Sequence, residues 1–414
     1  MPLLTYNREI LCNISADPVK PLVIITTHPI QYQVPVFRAV ENLCGVPVHT
    51  IYGSDFSVAG YYDKEFRSSF AWDVDLLQKS RASSTFLSTV AQGGARSFED
   101  VSAAGLKSAL AAADPGAILL TGYGTGFYRK AIYHALRLRR PLLFRAETTD
   151  HARPRGVLRS LLRRQILRWF YHRCDRLLPI GLRSYEHYRA LGCPESKLIF
   201  SPYCVDIAPF QCDEAARQAT RQPTRARLQF PEDTHALLFS GKLSRRKGVH
   251  ILMAAVKQLP ADRRAKTALV FLGDGEERQA LESEARQDPP VRAVFLGFQN
   301  QTQLSPYYHA ADLLVLPSVE SETWGLVVNE ALHHGLPAVV SGAVGCAPDL
   351  IEPGRTGEVA AAHSAQSLRE ALMRALTWTA DPGVRAQCRN KVSAYTVEKA
   401  AQGIARAFQS VINP

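Results

Sequence analysis

Two glutamates with seven residues between them, Glu322 and Glu330, stand in the segment Glu322-Thr323-Trp324-Gly325-Leu326-Val327-Val328-Asn329-Glu330. The apolar run Leu313–Leu316 before it reads as a strand, and Gly325–His334 reads as a helix. The first carboxylate then lies on the connecting loop, and the second about a turn and a half into the helix. Between them is the helix N-terminus, whose unpartnered N–H groups and partial positive charge make a seat for an anion. That seat is worth roughly 1 kcal/mol, more when partly buried. A carboxylate aimed at a bound phosphate would repel it. The two acids therefore have to face other groups, and the hydroxyls of a ribose and of a sugar are the donors that suit them.

A second segment supplies positive charge. Ser240-Gly241-Lys242-Leu243-Ser244-Arg245-Arg246-Lys247-Gly248 follows the apolar run Ala236–Ser240 and opens the helical stretch Val249–Leu259. Gly241 lets the backbone approach a ligand closely, and both Lys242 and Lys247 can reach a diphosphate. Two fixed cations can neutralise a departing diphosphate, so no metal or other cofactor is expected. Two more strand ends complete the set, Phe271-Leu272-Gly273-Asp274-Gly275 and Phe295-Leu296-Gly297-Phe298-Gln299, and Phe298 offers a ring for a base to stack on. Singly, each is ordinary strand–glycine–turn grammar, and the paired glutamates fit a solvated helix face equally well. Their order is what points to function: all four lie at strand ends in one half of the chain and aim at one cleft.

The elements that must position these residues alternate along the whole chain. In the first half, strands are expected at Leu22–Thr27, Val46–Tyr52, Ala117–Leu120, Pro141–Arg145 and Arg176–Ile180; the unbroken apolar run of the first fits a parallel strand covered on both faces. Residues 209–233 turn polar, with Pro223 and Pro231, and read as a connection between domains. Alternation then resumes through Ala236–Ser240, Ala268–Leu272, Val294–Leu296, Leu313–Leu316 and Pro337–Val340. The implied class is α/β, with two doubly wound Rossmann-like sheets facing across a cleft. The expected division is an extension over 1–20, a first domain over 21–209, a second over 210–390, and a terminal segment over 391–414.

Bulk properties agree with this. At 414 residues the chain is too long for one ordinary domain, and 46% hydrophobic with 21% charged residues suits a globular protein. No run of apolar residues is long enough to span a bilayer. Met1–Lys20 has neither an apolar core nor a cleavage site, and reads as a loosely packed extension, not a leader. Eight scattered cysteines with no C-x-x-C pair suggest a reducing compartment, so a cytoplasmic location is expected. The net charge of +11 favours anionic partners. Much of it lies between Arg153 and Arg176, with eight arginines and one acid, Asp175. That stretch reads as a basic helix over Leu158–Arg173, with Leu161, Leu162, Ile166, Leu167, Trp169 and Phe170 on its apolar side. Three readings stay open for it: a solvated face, docking on anionic lipid at the inner membrane surface, or nucleic acid. No nucleic-acid motif accompanies the charge, so no nucleic-acid partner is expected.

The second half resembles the family 4 glycosyltransferases of the GT-B fold. The matching stretches run in order: Gly241-Lys242-Leu243 with Lys247-Gly248, Leu272-Gly273-Asp274-Gly275, Ala310-Ala311-Asp312 with Leu316-Pro317-Ser318, Glu322 with Glu330, Gly335-Leu336-Pro337-Ala338-Val339, and Gly357-Glu358-Val359. Thr27-His28-Pro29-Ile30-Gln31-Tyr32 and Ser201-Pro202-Tyr203 with Val205-Asp206 also resemble one branch of that family. The resemblance implies a retaining transfer from a nucleotide-sugar donor, without a metal. Glu330 would bond the donor ribose, Glu322 the hydroxyls of the transferred sugar, and Lys242 and Lys247 the diphosphate. The backbone of Thr323, Trp324, Gly325 and Leu326 would lie near sugar and phosphates. The first of those lysines is usually arginine, and lysine keeps the charge but loses the bidentate fork.

The first half departs more. Where many members carry a His-Asp pair, this chain reads Arg145-Ala146-Glu147, which makes Glu147 the candidate polar group near the reacting carbon, with Asp150 and His151 as runners-up. The usual glycine-rich loop after the first strand is replaced by His28-Pro29-Ile30-Gln31. His28, Gln31 and Tyr32 are candidates for the acceptor, which would be a glycan, lipid-linked or small-molecule hydroxyl; the alternative reading of His28 is a helix cap. The last helix, near Thr396–Val411, would cross back to the first domain. The competing functions are a sugar-nucleotide epimerase or phosphorylase of the same architecture, and a non-catalytic nucleotide-sugar sensor.

Overall fold

A computed structural model describes residues 19–59, 61–63, 68–70, 76, 83–148, 157–287 and 290–412. In chain order the strands are β1 (Leu22–Thr26), β2 (Val48–Tyr52), β3 (Tyr61–Asp63), β4 (Ser68–Phe70), β5 (Ser83–Phe86), β6 (Ala117–Leu120), β7 (Leu142–Phe144), β8 (Arg176–Leu177), β9 (His235–Ser240), β10 (Thr267–Leu272), β11 (Arg292–Phe295), β12 (Leu313–Leu316), β13 (Ala338–Ser341) and β14 (Gly357–Ala360). They form two six-stranded sheets, ordered β5-β2-β1-β6-β7-β8 and β11-β10-β9-β12-β13-β14, and the small antiparallel pair β3-β4. Both large sheets are parallel throughout.

Numbered from its own first strand, each sheet has the order in which the chain winds outward one way, returns to the middle, and winds outward the other way. The reversal falls between β1 and β6 in one sheet and between β9 and β12 in the other. Loops leaving the carboxyl ends of two such strands diverge and leave a crevice, which is where doubly wound sheets bind ligands. The fold therefore puts the loop after β1, with His28, beside the loop after β6. It likewise puts the loop after β9, with Lys242 and Lys247, beside the loop after β12, with Glu322.

The interior strands β1, β6, β7, β10, β12 and β13 are buried along their whole length, and β2 and β9 at all but one position each, as parallel strands covered by helices on both sides must be. Helices Val34–Asn42 and Val397–Ile412 cover one face of the first sheet, where Leu22, Ile24, Val36, Phe37, Ile404 and Phe408 share a core. The last helix is fastened there by polar contacts too. Ser201 Oγ donates to the Ala400 carbonyl at 2.9 Å, and Arg176 Nε to Ser410 Oγ at 2.9 Å. The opposite face carries helices Leu106–Ala113, Gly126–Leu138, Val157–Arg173 and Leu182–Ala190.

Three expectations need correction. Residues 209–233 are not a bare connection. Helix Glu214–Arg227 lies there, N-capped by Asp213, whose carboxylate accepts from the Ala216 N–H at 2.7 Å. Arg221 and Arg225, on either side of Pro223 with its one forfeited backbone bond, anchor it to Asp312 at 2.5 and 3.3 Å. The basic helix, Val157–Arg173, does not bury all its apolar residues. Leu167, Phe170 and Tyr171 fill its inner face, while Leu161, Leu162, Ile166 and Trp169 are exposed. Positions 167, 170, 171 and 174 already complete one helical stripe against the sheet, and the other four point the opposite way. Finally, β3, β4, β5 and β14 had no counterpart in the strand assignment. The 1–20 extension up to residue 18, with Leu3, Leu4 and Ile10, lies outside the described residues.

Gly248 shows how tightly the two loops of the second crevice meet. Its φ is +70°, and a Cβ there would lie 2.1 Å from the Pro317 carbonyl oxygen. Gly248→Ala is expected to destabilise the fold by roughly 2 kcal/mol or more, because strain and overlap act together. Thermal denaturation should show a fall of about 5 °C for a domain of this size; an unchanged midpoint would mean the loops are not packed this closely.

Candidate active site

The loop after β12 leads through Pro317 and Ser318 to Glu322, then to Gly325, where helix Leu326–His333 starts. Gly325 has φ +100°, and a Cβ on it would fall 2.9 Å from Val344 Cγ1. Only glycine makes that turn cheaply, and the turn starts the helix whose first N–H groups lack carbonyl partners a full turn before them. Across from it, Lys247 Nζ meets Glu322 Oε2 at 2.5 Å, and Ser318 Oγ donates to the same oxygen at 2.8 Å. The Val319 N–H donates to the Arg246 carbonyl at 2.9 Å and locks the two loops together. Lys242, half-buried, lies five residues before Lys247 on the same loop.

Glu330 is buried, and its donor is the Tyr308 hydroxyl at 2.6 Å. Burial lifts its carboxyl to about 7, because the ionised form loses its water while Tyr308 compensates only in part. Tyr308 stacks on His334, with ring centres 4.8 Å apart. His334 in turn bonds the Glu330 carbonyl at 2.7 Å and Ser305 Oγ at 2.9 Å. Burial holds His334 near 3, so it is neutral. Glu330 is thus set on rigid neighbours, one and a half helical turns from the tip.

Trp324 is fixed differently from its neighbours. Its ring is buried between the two halves, 5.9 Å from Tyr203 and 5.9 Å from Tyr395, and its Nε1 donates to Asn329 Oδ1 at 2.8 Å. Its side chain therefore serves the junction, and its carbonyl accepts from the Cys346 N–H at 2.9 Å. Thr323 turns the other way, toward Glu147. Phe298 is half-buried just past β11 at the sheet edge; its loop joins that of Gly273 through the Gly273 N–H, which donates to the Gly297 carbonyl at 2.8 Å.

In the first half, Glu147 lies three residues past β7. Its two oxygens accept from the Tyr203 hydroxyl and from Thr323 Oγ1. One carboxylate therefore joins the two halves at the residue next to Glu322. Tyr203 is the hub of this junction: its ring packs against Tyr32 at 5.3 Å, and the Arg145 guanidinium lies over it at 5.5 Å. Arg145 is itself buried and donates to Ser201 Oγ at 2.9 Å and the Pro202 carbonyl at 2.7 Å. Gln31 Oε1 is buried without a hydrogen-bond partner. His28 packs on Phe56 at 4.4 Å and contacts Thr27 Oγ1 through Nδ1 at 3.0 Å. Burial lowers its pKa to about 4, which makes it a neutral imidazole. Asp150 and His151 lie outside the described residues.

Sequence reasoning did not single out Tyr203, Tyr308 or Ser318 as parts of the site. Tyr203 stood inside a quoted junction but carried no chemical signal of its own. Tyr308 acts through a carboxylate 22 residues away that only the fold brings to it, whereas Ser318 bonds Glu322 four residues on along the same loop.

Solved structures show the same arrangement over nearly the whole chain. Sucrose-phosphate synthase from Thermosynechococcus elongatus has a TM-score of 0.69 at 19% identity, covering 95% of this chain and 100% of that one. HepE from Anabaena, in complex with UDP and glucose, has a TM-score of 0.66 at 16% identity, covering 95% and 100%. Two Rossmann-like sheets facing across a crevice are the GT-B fold, and this chain has it. Within it, residues 220–407 match the family of glycosyl transferases group 1. The half that carries Lys242, Lys247, Glu322 and Glu330 is the half this family model matches. D-inositol 3-phosphate glycosyltransferase 1 from Catenulispora acidiphila is 36% identical over 173 residues, 39% of this chain and 40% of that protein. Against eight curated relatives the chain matches from 26% to 54% of their own lengths.

Proposed function

We propose that the chain is a retaining glycosyltransferase that moves a sugar from a UDP- or GDP-sugar to a hydroxyl of a glycan, lipid-linked or small-molecule acceptor, with no metal in the site. One observation carries the reading: Glu147 of the first half and Thr323, beside Glu322, meet across the crevice, within one loop of Lys247 and the helix tip. HepE's complex with UDP and glucose supports a UDP-sugar as donor.

In this reading Glu330 accepts from the ribose hydroxyls. The helix tip at Gly325 and Leu326, with Lys242 and Lys247, holds the diphosphate. Phe298 lies toward the base. Glu322 faces the sugar. His28, Gln31 and Tyr32 line the acceptor side, where Gln31 Oε1 has an acceptor valence to spare for a hydroxyl. The Lys247 ion pair disfavours Glu322 as a covalent nucleophile, since a cation at 2.5 Å stabilises the carboxylate and makes it a poorer nucleophile. Front-face displacement fits better. The acceptor oxygen bonds to the anomeric carbon as the bond to the diphosphate oxygen breaks, and the acceptor proton passes to the departing phosphate oxygen. Glu147 offers negative charge on the side where the anomeric carbon becomes positive.

The test is product analysis with a panel of UDP-, GDP- and ADP-sugars and candidate acceptors. A nucleoside diphosphate and a glycoside of retained configuration, formed only when acceptor is present, is the expected result. A nucleotide-sugar of altered stereochemistry or a sugar 1-phosphate would assign the fold to an epimerase or a phosphorylase. Saturable binding with no product from any pair would make it a sensor.

A further inference from the structure

Helix Val157–Arg173 carries a surface that the transfer reaction does not use. Leu161, Leu162, Ile166 and Trp169 are 54%, 64%, 56% and 52% exposed. At 100° per residue they fall within roughly 140° of the helix circumference, on the side away from the sheet. The other exposed large apolar residues among those described are spread over nine positions, with no more than two on any one element. Four on one helix is therefore a patch and not background.

The charge around this patch has one sign. From Val157 to Arg173 there is no acid, against Arg159, Arg163, Arg164, Arg168 and Arg173. Arg173 lies over the Trp169 ring at 5.3 Å and so frames the apolar stripe on one side, and exposed Arg168 frames it on the other. Helix Gly126–Leu138 on the same face of the sheet adds exposed Arg129, Lys130 and Arg137, and no acid occurs from Pro115 to Ala146.

We infer that this face docks on an anionic phospholipid membrane, with the apolar stripe in the acyl boundary and the arginines among the headgroups. A helix with apolar residues on one side, flanking cations and no acid has the composition of one that lies in the interface plane. A second copy of the chain fits poorly, because a twofold contact would bring the same arginines together. A nucleic acid would use the cations but leave the leucines and Ile166 in water.

The position of the helix gives this docking a consequence for the substrate. The helix follows the loop that carries Glu147, so its first turns lie at the crevice end of the sheet. There Arg163 donates to the Tyr123 hydroxyl at 2.8 Å, on the loop after β6. A membrane under this face meets the rim of the acceptor side. Resting on the transferase reading, the acceptor class is then a hydroxyl on a lipid-linked molecule presented at the bilayer surface.

Co-sedimentation of the full chain with vesicles tests the docking without any nucleotide. Phosphatidylcholine vesicles containing about one third phosphatidylglycerol should bind it at least tenfold more tightly than phosphatidylcholine alone, and less tightly as salt rises. Leu162→Glu with Ile166→Glu changes only exposed positions, and should cut that binding at least tenfold while calorimetry shows nucleotide-sugar binding unchanged. Arg168→Gln should lower it less. Wild-type protein that stays in the supernatant would overturn the inference, as would a double variant that binds like wild type. A dimer in solution that the double variant dissolves, without vesicle binding, would also overturn it by assigning the face to a second copy. Each of these results leaves the transfer reaction untouched, which product analysis judges separately.

Discussion

Glu330→Ala is expected to weaken nucleotide-sugar binding by about 100-fold. A carboxylate accepting from two ribose hydroxyls contributes on the order of 3 kcal/mol through charge-assisted bonds, equivalent to two decades in affinity. Glu330→Gln keeps an oxygen for Tyr308 but loses the charge, and should fall between the variant and wild type. The burial of Glu330 adds a pH signature. With its carboxyl raised to about 7 from the ordinary 4.5, the unfolded chain releases this proton before the folded one does. The folded protein is therefore favoured by the protonated form. That contribution is full below about 4.5, shrinks as pH rises toward 7, and amounts to on the order of 3 kcal/mol overall. Glu330→Gln should flatten the slope of stability in that window. Donor binding runs the opposite way, because ribose hydroxyls donate to the ionised form. Affinity for a UDP-sugar should rise by about tenfold from pH 6 to pH 8, and the variant should lose that dependence. A pH-independent affinity in the wild type would detach Glu330 from the ribose.

Glu147→Ala is expected to lower turnover by about 100-fold or more and to leave donor affinity within about twofold. Its carboxylate touches Thr323 and Tyr203, not the lysines or Glu330, so it lies to the acceptor side of the diphosphate seat. An effect confined to kcat is what a charge acting mainly on the transition state produces. Glu147→Gln separates charge from geometry, since the amide oxygen can still accept from a hydroxyl. If the glutamine variant is as slow as the alanine variant, negative charge is what matters. If it works like wild type, Glu147 holds Tyr203 and Thr323 in place. Unchanged turnover in both removes it from the mechanism.

How much of this was legible before the fold was known depends on the distance over which each residue acts. β1, β6, β9, β10, β12 and β13 announce themselves as apolar runs, because a strand covered on both faces can carry little else. β5 is Ser-Ser-Thr-Phe at a sheet edge and has no such signature. Helix Glu214–Arg227 hid behind a polar sequence with an internal proline, because its stability comes from Arg221 and Arg225 reaching Asp312, a pairing no local pattern contains. Glu322 and Lys247 could be named from their motifs, but that they pair with each other could not. Trp324 shows the reverse error: a residue inside a ligand-binding motif whose side chain serves the junction between the halves. On the basic helix, periodicity identified the apolar residues but not that two stripes share one helix and only one faces the sheet.

The account turns on the seat between the helix tip at Gly325 and the lysines of the β9 loop. Titration calorimetry of the wild-type chain with UDP and GDP addresses it most directly. One saturable site per chain is expected for at least one of them, weakened by about tenfold or more when Lys247 is replaced by alanine. No measurable binding of either diphosphate, or binding that Lys247→Ala leaves unchanged, would contradict it.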